Sequence, residues 1–447
     1  MNMNGQTRWM GSKTEYPLWG ILAVMGLVLI SPFVSPYLCY FAFVISICRM
    51  LRFDAKVFAV DYAILIPVCQ FYRTTGGMSL LVWLCLVAAI WFFVRGKIKV
   101  NSALVAIILL LNYLLLRMQM NISNFVLCFG QMFMLYVVLP KQSEKSADQA
   151  VKAFCWSLLI TTIYALIFRS NISVVAIRGE EDLAIWGTSI GRFSGLIKDP
   201  NYYMTLLLVG MASLCKMKET NHIGSLRFWT LIISFTIFGI LTYSKTFFLL
   251  FFLLGGIYVV WQFWSRRAFK SLVFACMALI VFAYLLLSGN SPFAVVIARL
   301  TSGSTLDDIT TGRTYLFAQY WAAVTEGPLR LLFGFGLNAS GFEKGAHNLY
   351  LEILYYVGIV GLLLFVGLLC FVVSSAVEKN YQYKKQSVLA KYIVLFIMAL
   401  QYCALQGMFQ IVTYAGMFMA MLSVLLLPRK SGEPETQRNK HIVRMSD

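Results

Sequence analysis

Residues 77–117 read GMSLLVWLCLVAAIWFFVRGKIKVNSALVAIILLLNYLLLR. Two apolar runs, 77–94 and 101–117, flank a short basic joint of Arg95, Lys97 and Lys99. A helix that crosses a bilayer needs roughly 20 apolar residues, within a range of about 17–25. Runs of this kind recur from Tyr16 to Leu427. Composition agrees: 60% of residues are hydrophobic and 13% are charged, and the mean hydropathy is +0.76. Lipid tolerates no open sheet edge. The chain is therefore expected to be an all-α polytopic membrane protein. No stretch is long and polar enough for a soluble domain with its own core. No cleavable signal peptide is expected either, because the first apolar run leads directly into a second.

Working outward, spans are expected near 17–31, 35–50, 57–72, 77–94, 101–117, 122–140, 153–168, 202–215, 228–243, 246–264, 271–287, 348–373, 391–405 and 411–428. Residues 391–428 would make one helix of about 55 Å, too long for a hydrocarbon core of about 30 Å. Gln401, Gln406 and Gln410 offer a polar place to turn, so the stretch divides. The count is fourteen, with 12 or 13 as alternatives. The chain then organises into N-terminal helices (1–168), a first outer loop (169–200), central helices (201–287), a large outer loop (288–346), C-terminal helices (347–428) and a basic cytoplasmic tail (429–447). All ten cysteines lie within or at the ends of apolar runs and form no CxxC pair. They read as packing residues.

Basic residues mark the cytoplasmic side of short loops. With the N-terminus inside, every inner loop is basic, as in Arg49-Arg52-Lys56, Lys216-Lys218-Arg227 and Arg266-Arg267-Lys270. Most of the 37 lysines and arginines fall on that side. The net charge of +18 is thus a signature of topology, with anionic lipid as a further partner, and calls for no nucleic acid. The cations that point outward run against this bias. They concentrate in the loops 169–200 and 288–346, where acids such as Glu180, Asp182, Asp307 and Asp308 also stand. Each such cation is either paired with a neighbouring acid or available to a ligand.

The first outer loop ends Gly191-Arg192-Phe193-Ser194-Gly195-Leu196-Ile197-Lys198-Asp199-Pro200-Asn201. Asp199 is a natural N-cap and Pro200 a natural first helical residue. Free amide hydrogens and the dipole of such a helix start suit a phosphate. Arg192 and Lys198 would add charge. Capping explains Asp199 and Pro200 but not Arg192. Ser244-Lys245 occupies a very short outer turn, where the lysine either snorkels to headgroups or meets a ligand. In the second loop, Thr311-Gly312-Arg313 precedes an aromatic-rich stretch from Tyr315 to Val324, expected as a short interfacial helix. Gly327-Pro328 and Gly334-Phe335-Gly336 supply turns. The loop closes on Gly345-Ala346-His347-Asn348-Leu349-Tyr350-Leu351-Glu352, and His347 is one of three histidines in the chain.

Arg192, Lys245, Arg313 and His347 all fall on one side of the membrane in this reading. Arginine presents a planar fork that matches phosphate oxygens. An imidazole titrates near neutral pH and transfers protons. The set suits a phosphate-bearing lipid. No metal site is expected, since His347 has no partner histidine or cysteine nearby. No cofactor is expected, because Walker and dinucleotide-binding motifs are absent.

Taken in order, Gly191–Asn201, Ser244-Lys245, Thr311-Gly312-Arg313 and Gly345–Glu352 among 12–14 helices resemble the O-antigen ligase and polymerase superfamily. The resemblance is strongest over residues 190–375. It implies glycosyl transfer on the extracytoplasmic face, without metal or nucleotide, from a glycan on undecaprenyl diphosphate. It implies a fold similar to the GT-C glycosyltransferases and residence in the bacterial inner membrane. Carried onto this chain, Arg192 and Arg313 would hold the diphosphate and His347 would deprotonate the acceptor hydroxyl. Lys198, Lys245, Asn201, Asn348, Tyr350 and Glu352 would line the substrate. The family usually has arginine after the serine of the short turn; Lys245 keeps the charge but loses the fork.

Polymerase and ligase differ in acceptor. The ligase uses lipid A-core, whereas the polymerase uses a second lipid-linked repeat unit, with a chain-length regulator as an expected associate. The string from Arg192 to Tyr203 is more similar to polymerases of surface polysaccharide such as O-antigen or capsule, with the ligase as the alternative. A lipid-linked oligosaccharide flippase is the reading from another class. It is disfavoured because no repeat relates the two halves, and the long outer loop points to a function of its own.

Overall fold

The computed structural model describes residues 18–52, 55–74, 79–94, 102–116, 129–134, 139, 142–171, 192–197, 199–264, 312–336, 342, 345–380, 388–405 and 411–426. Among them, regular structure is helical, apart from an isolated bridge between Arg73 and Ser79. In chain order the helices are α1 (Leu18–Ile30), α2 (Tyr37–Arg52), α3 (Ala55–Leu65), α4 (Leu80–Val94), α5 (Ser102–Leu116), α6 (Glu144–Ile167) and α7 (Pro200–Glu219). They continue with α8 (Ser225–Leu241), α9 (Lys245–Trp264), α10 (Arg313–Thr325), α11 (Pro328–Phe333), α12 (Leu349–Asn380), α13 (Val388–Tyr402) and α14 (Ile411–Val424). The expected spans near 122–140 and 271–287 lie largely or wholly outside the described residues. Every other expected span coincides with a helix.

Among the described residues, two segments are long and apolar enough to cross a membrane: Glu144–Ile167, and Leu349–Phe371 within α12. Other apolar helices, Leu80–Val94 among them, are shorter. The expected span at 57–72 is one such case. Its α-helix stops at Leu65, and a 3-10 turn over Ile66–Val68 follows, because Pro67 cannot continue the α-helical ladder. Large apolar side chains stay exposed on the outside of the bundle, such as Trp19 at 82% and Leu363 at 65%. An all-α membrane protein buries such a belt in lipid instead of water.

Among the described residues, α7 and α14 are buried along most or all of their length. From Tyr202 to Met217 every α7 residue is buried, and so is all of α14. Ser213 of α7 and Ser423 of α14 share a 2.8 Å hydrogen bond between their hydroxyls. Nearer the start of both helices, a Cβ added at Gly416 would lie 3.6 Å from Thr205 Cγ2 and 2.9 Å from Met398 Cε. The α7 and α14 helices thus run parallel, and α13, joined to α14 by residues 403–410, runs antiparallel to both. The division of 391–428 falls where the glutamines stand: α13 ends at Tyr402 and α14 begins at Ile411.

Among the described residues, the following buried charges are paired, as low-dielectric surroundings favour. Arg49 of α2 makes two hydrogen bonds to Asp61 of α3, at 2.8 and 3.1 Å. His222, expected in an inner loop, does follow α7, but it is buried. Its Nδ1 lies 2.8 Å from Asp148 and its Nε2 3.6 Å from Glu144, while Lys152 donates to Asp148 at 2.8 Å.

The α12 helix is broken by Gly358, whose φ is +67°. The break leaves carbonyls without intrahelical partners. Phe335 N donates to the Tyr355 carbonyl at 2.8 Å, and Gly336 N donates to that of Tyr356 at 2.7 Å. Gly334, with φ +68°, lets the strand-like tail of α11 approach this closely; a Cβ there would sit 2.6 Å from Gly358 N. The end of the large loop is therefore stitched into the wall of the bundle.

Candidate functional site

Asp199 caps α7 as the sequence predicts. It is extended, and its carboxylate accepts from Asn201 N at 2.6 Å, with Pro200 in the first turn. The segment before it is held by apolar anchors. Phe193, Leu196 and Ile197 are buried, and Phe193 meets the Tyr203 ring edge-on at 5.6 Å. Gly195 has φ +58°, and a Cβ there would come 2.5 Å from the Tyr203 ring. A hydrogen bond of 3.0 Å from Phe193 N to the Leu241 carbonyl ties the segment to the end of α8.

These anchors fix Arg192. Its Nε donates to the Thr242 carbonyl at 3.1 Å, and its Nη2 donates to Asn201 Oδ1 at 3.3 Å. The same Asn201 oxygen accepts from Ser244 Oγ at 3.4 Å. Ser244 is held in turn by the tight connection between α8 and α9. Tyr243 takes a left-handed φ of +47°, and Ser244 N donates to Thr242 Oγ1 at 3.2 Å. Lys245 follows at once as the first residue of α9. Lys198 lies outside the described residues.

Arg313 comes to the same place from the second loop. Gly312, at φ +79°, starts α10, and Arg313 is its first residue, half-buried. Burial lowers the pKa of its guanidinium, and the carboxylate of Asp199 acts in the opposite sense, favouring the charge. Arg192 is thus bonded to the first turn of α7, and the charge of its cap, Asp199, acts on Arg313 from the second loop. Cations at a helix N-terminus oppose the dipole there. With Asp199 the anion named among them, the arrangement suits a further negative group.

His347 is set by the far end of α10. Tyr320 and Val324 pack with Ala346, Leu354 and Tyr355. The Tyr320 ring stacks on Phe342 at 4.4 Å and meets Tyr355 at 4.9 Å. Burial foremost, and then Tyr356, Glu352 and Tyr355, push the Tyr320 hydroxyl well above its ordinary pKa, so it stays protonated. His347 is partly exposed at φ +50°, a left-handed turn just before α12. Asn348 caps that helix, its Oδ1 accepting from Leu351 N at 3.2 Å. The Tyr350 hydroxyl donates to the Ala399 carbonyl of α13 at 3.0 Å. Glu352 is 1% exposed. In this structure Asn348 and Tyr350 thus use their polar groups within the chain.

Sequence reasoning took Asp199 as a cap only; its electrostatic link to Arg313 needs the two loops side by side. It also left out Thr242, whose carbonyl orients Arg192.

Residues 229–366 match the family model described as O-antigen ligase. That stretch of the chain is thus similar to the O-antigen ligase-like superfamily. The match takes in Ser244, Lys245, Arg313, His347 and Glu352, and begins after Arg192 and Asp199. A curated relative is the ComP-specific O-oligosaccharyltransferase of Acinetobacter baylyi (strain ATCC 33305 / BD413 / ADP1). It is 23% identical over 246 residues, 51% of this chain. The superfamily likeness spans only 43% of that relative's own length.

Proposed function

We propose that this chain is a glycosyltransferase of the bacterial inner membrane that moves a glycan from undecaprenyl diphosphate to a hydroxyl acceptor on the extracytoplasmic face. The observation that carries the reading is the convergence of Arg192 and Arg313 on the Asp199–Asn201 turn of α7. That turn offers amide hydrogens and positive charge to a diphosphate. In the proposed reaction the acceptor oxygen bonds to the anomeric carbon of the donor sugar. The bond from that carbon to the diphosphate oxygen breaks, and the diphosphate leaves with the electron pair. The acceptor's proton passes to His347, the base of this proposal. Arg192 and Arg313, with Lys245 and Lys198 nearby in sequence, offset the charge that grows on the leaving group. No metal or nucleotide has a part in this scheme.

The preferred acceptor is a second lipid-linked repeat unit, which makes the protein a polymerase of surface polysaccharide. This choice rests on the Arg192–Tyr203 string. A second reading, transfer to a different acceptor such as lipid A-core, draws on the names of the matching family and relative, ligase and O-oligosaccharyltransferase. Purified protein given undecaprenyl-diphosphate repeat units, with and without lipid A-core, tests both. Long lipid-linked chains without the core acceptor support the polymerase, and product on lipid A-core alone supports the ligase. No product in either vessel would sink the proposal.

A further inference from the structure

Gln401 is the one residue among those described whose side-chain nitrogen and oxygen are both buried without a hydrogen-bond partner. It is 0% exposed. Burying a primary amide unmatched is costly, and such groups call for an explanation. A buried leucine or methionine would fill the same space at no such cost, so the polar ends ask for a partner that is not part of the protein.

The packing register shows where Gln401 faces. On α13, Met398 and Gln401 are three residues apart and share a face. Met398 lies against Gly416 of α14, where Thr205 of α7 also arrives. Since α13 runs antiparallel to α7, one turn beyond Met398 corresponds to one turn before Thr205, and that residue is Asn201. Thr205 Oγ1 in fact donates to the Asn201 carbonyl at 2.9 Å, which fixes the step. Gln401 therefore stands at the level of the Arg192–Asn201–Ser244 cluster, on the α13 wall beside the start of α7. On the same turn of α13, the Ala399 carbonyl accepts from Tyr350, just after His347 and Asn348. The turn of α13 that carries Gln401 is thus also the one that bonds to the start of α12, just after His347.

A carboxamide with both ends unused matches a group that both donates and accepts. A diphosphate only accepts, which would leave the Gln401 oxygen unmatched. A pair of vicinal hydroxyls, or an acetamido group, satisfies both ends. We propose that Gln401 reads the sugar nearest the diphosphate of the donor lipid, as a specificity-determining contact; this rests on the functional reading above. A site built to hydrogen-bond a substrate group discriminates strongly against analogues that lack it.

The experiment measures the thermal stabilisation of purified full-length protein by two probes: undecaprenyl diphosphate, and undecaprenyl diphosphate carrying one N-acetylglucosamine. Ligand that binds the folded state raises the melting temperature according to its affinity. Wild-type protein should bind the sugar-bearing lipid about tenfold more tightly than the bare one, the equivalent of one net hydrogen bond. Gln401→Leu should lose that difference while keeping the shift given by undecaprenyl diphosphate, and its unliganded melting temperature should not fall. Gln401→Met, unbranched and close in length, serves if the leucine variant folds poorly. Arg192→Ala should lose the shift with both lipids. Equal shifts of the wild type by the two lipids, or a difference retained in both Gln401 variants, would overturn the role of Gln401 and leave the diphosphate site standing. Absence of any shift in the wild type would overturn the diphosphate reading itself, and the Gln401 contact with it.

Discussion

His347 occupies a backbone conformation that few side chains adopt willingly. Its φ of +50° is left-handed, a region in which asparagine and histidine are over-represented among residues with a Cβ. This separates the conformational role of the residue from its proposed chemistry. His347→Asn keeps a side chain that tolerates the turn but removes the proton acceptor. Product formation should fall by about 100-fold or more, the usual contribution of a general base, with the melting temperature in detergent near that of the wild type. Chains of wild-type length from that variant would remove His347 as the base. Arg313 allows a second test at this scale. Arg313→Lys conserves the charge but replaces the fork with a single point. Turnover on lipid-linked repeat units should drop by about tenfold or more, and unchanged turnover would show that charge alone suffices. Both residues stand out in the sequence, one by rarity and one by running against the topological bias. What does not stand out is that Arg313 works against Asp199, because local spacing reads Asp199 fully as a cap.

At the level of the element, α12 shows what periodicity cannot reveal. Residues 348–373 read as one unbroken apolar run, and glycines recur within it at Gly358, Gly361 and Gly367. Only Gly358 is left-handed, and the reason lies in the large loop: the amides of Phe335 and Gly336 enter to serve the freed carbonyls. From sequence, Gly334-Phe335-Gly336 is a turn and nothing more. The start of α10 was legible, because Gly312 precedes an aromatic run with natural interfacial anchors; Tyr315 and Trp321 are exposed, as such a helix requires. Gly358→Ala tests the stitch. The left-handed backbone costs an alanine about 1–2 kcal/mol, and its Cβ would collide with the Leu332 carbonyl and Phe333 amide. Gly367→Ala, where an added Cβ meets nothing within 4 Å, is the control. The Gly358 variant should melt several degrees lower in detergent and lose activity, because the loop that carries His347 and Arg313 loses its anchor. Equal melting temperatures for the two variants would show that the stitch does not matter for stability.

Across the whole molecule, the candidate site gathers at one end of the bundle. There the start of α7 bonds to the turn from α8 to α9, and the start of α12 bonds to the end of α13. The opposite end of α7 carries Lys216 and Lys218, with His222 between Asp148 and Glu144 just beyond. The division of basic residues in the sequence assigns this second end to the cytoplasm, while the helix packing gives no direction. Membrane orientation is thus a prediction from charge, and labelling checks it. The exposed Cys48, Cys370 and Cys403, together with Cys128 and Cys276, are first replaced by serine. Buried thiols such as Cys155 and Cys215 stay, shielded from an impermeant reagent. Ser170 after α6 and Thr325 at the end of α10 are exposed positions toward the two long loops, and Ser225 is an exposed position at the lysine-rich end. In intact cells with a permeable outer barrier, Ser170→Cys and Thr325→Cys should react with an impermeant maleimide, and Ser225→Cys should react only after the inner membrane is opened. The reverse pattern would place the arginine cluster in the cytoplasm, where the basic-residue rule would have failed and an extracytoplasmic glycan transfer could not occur.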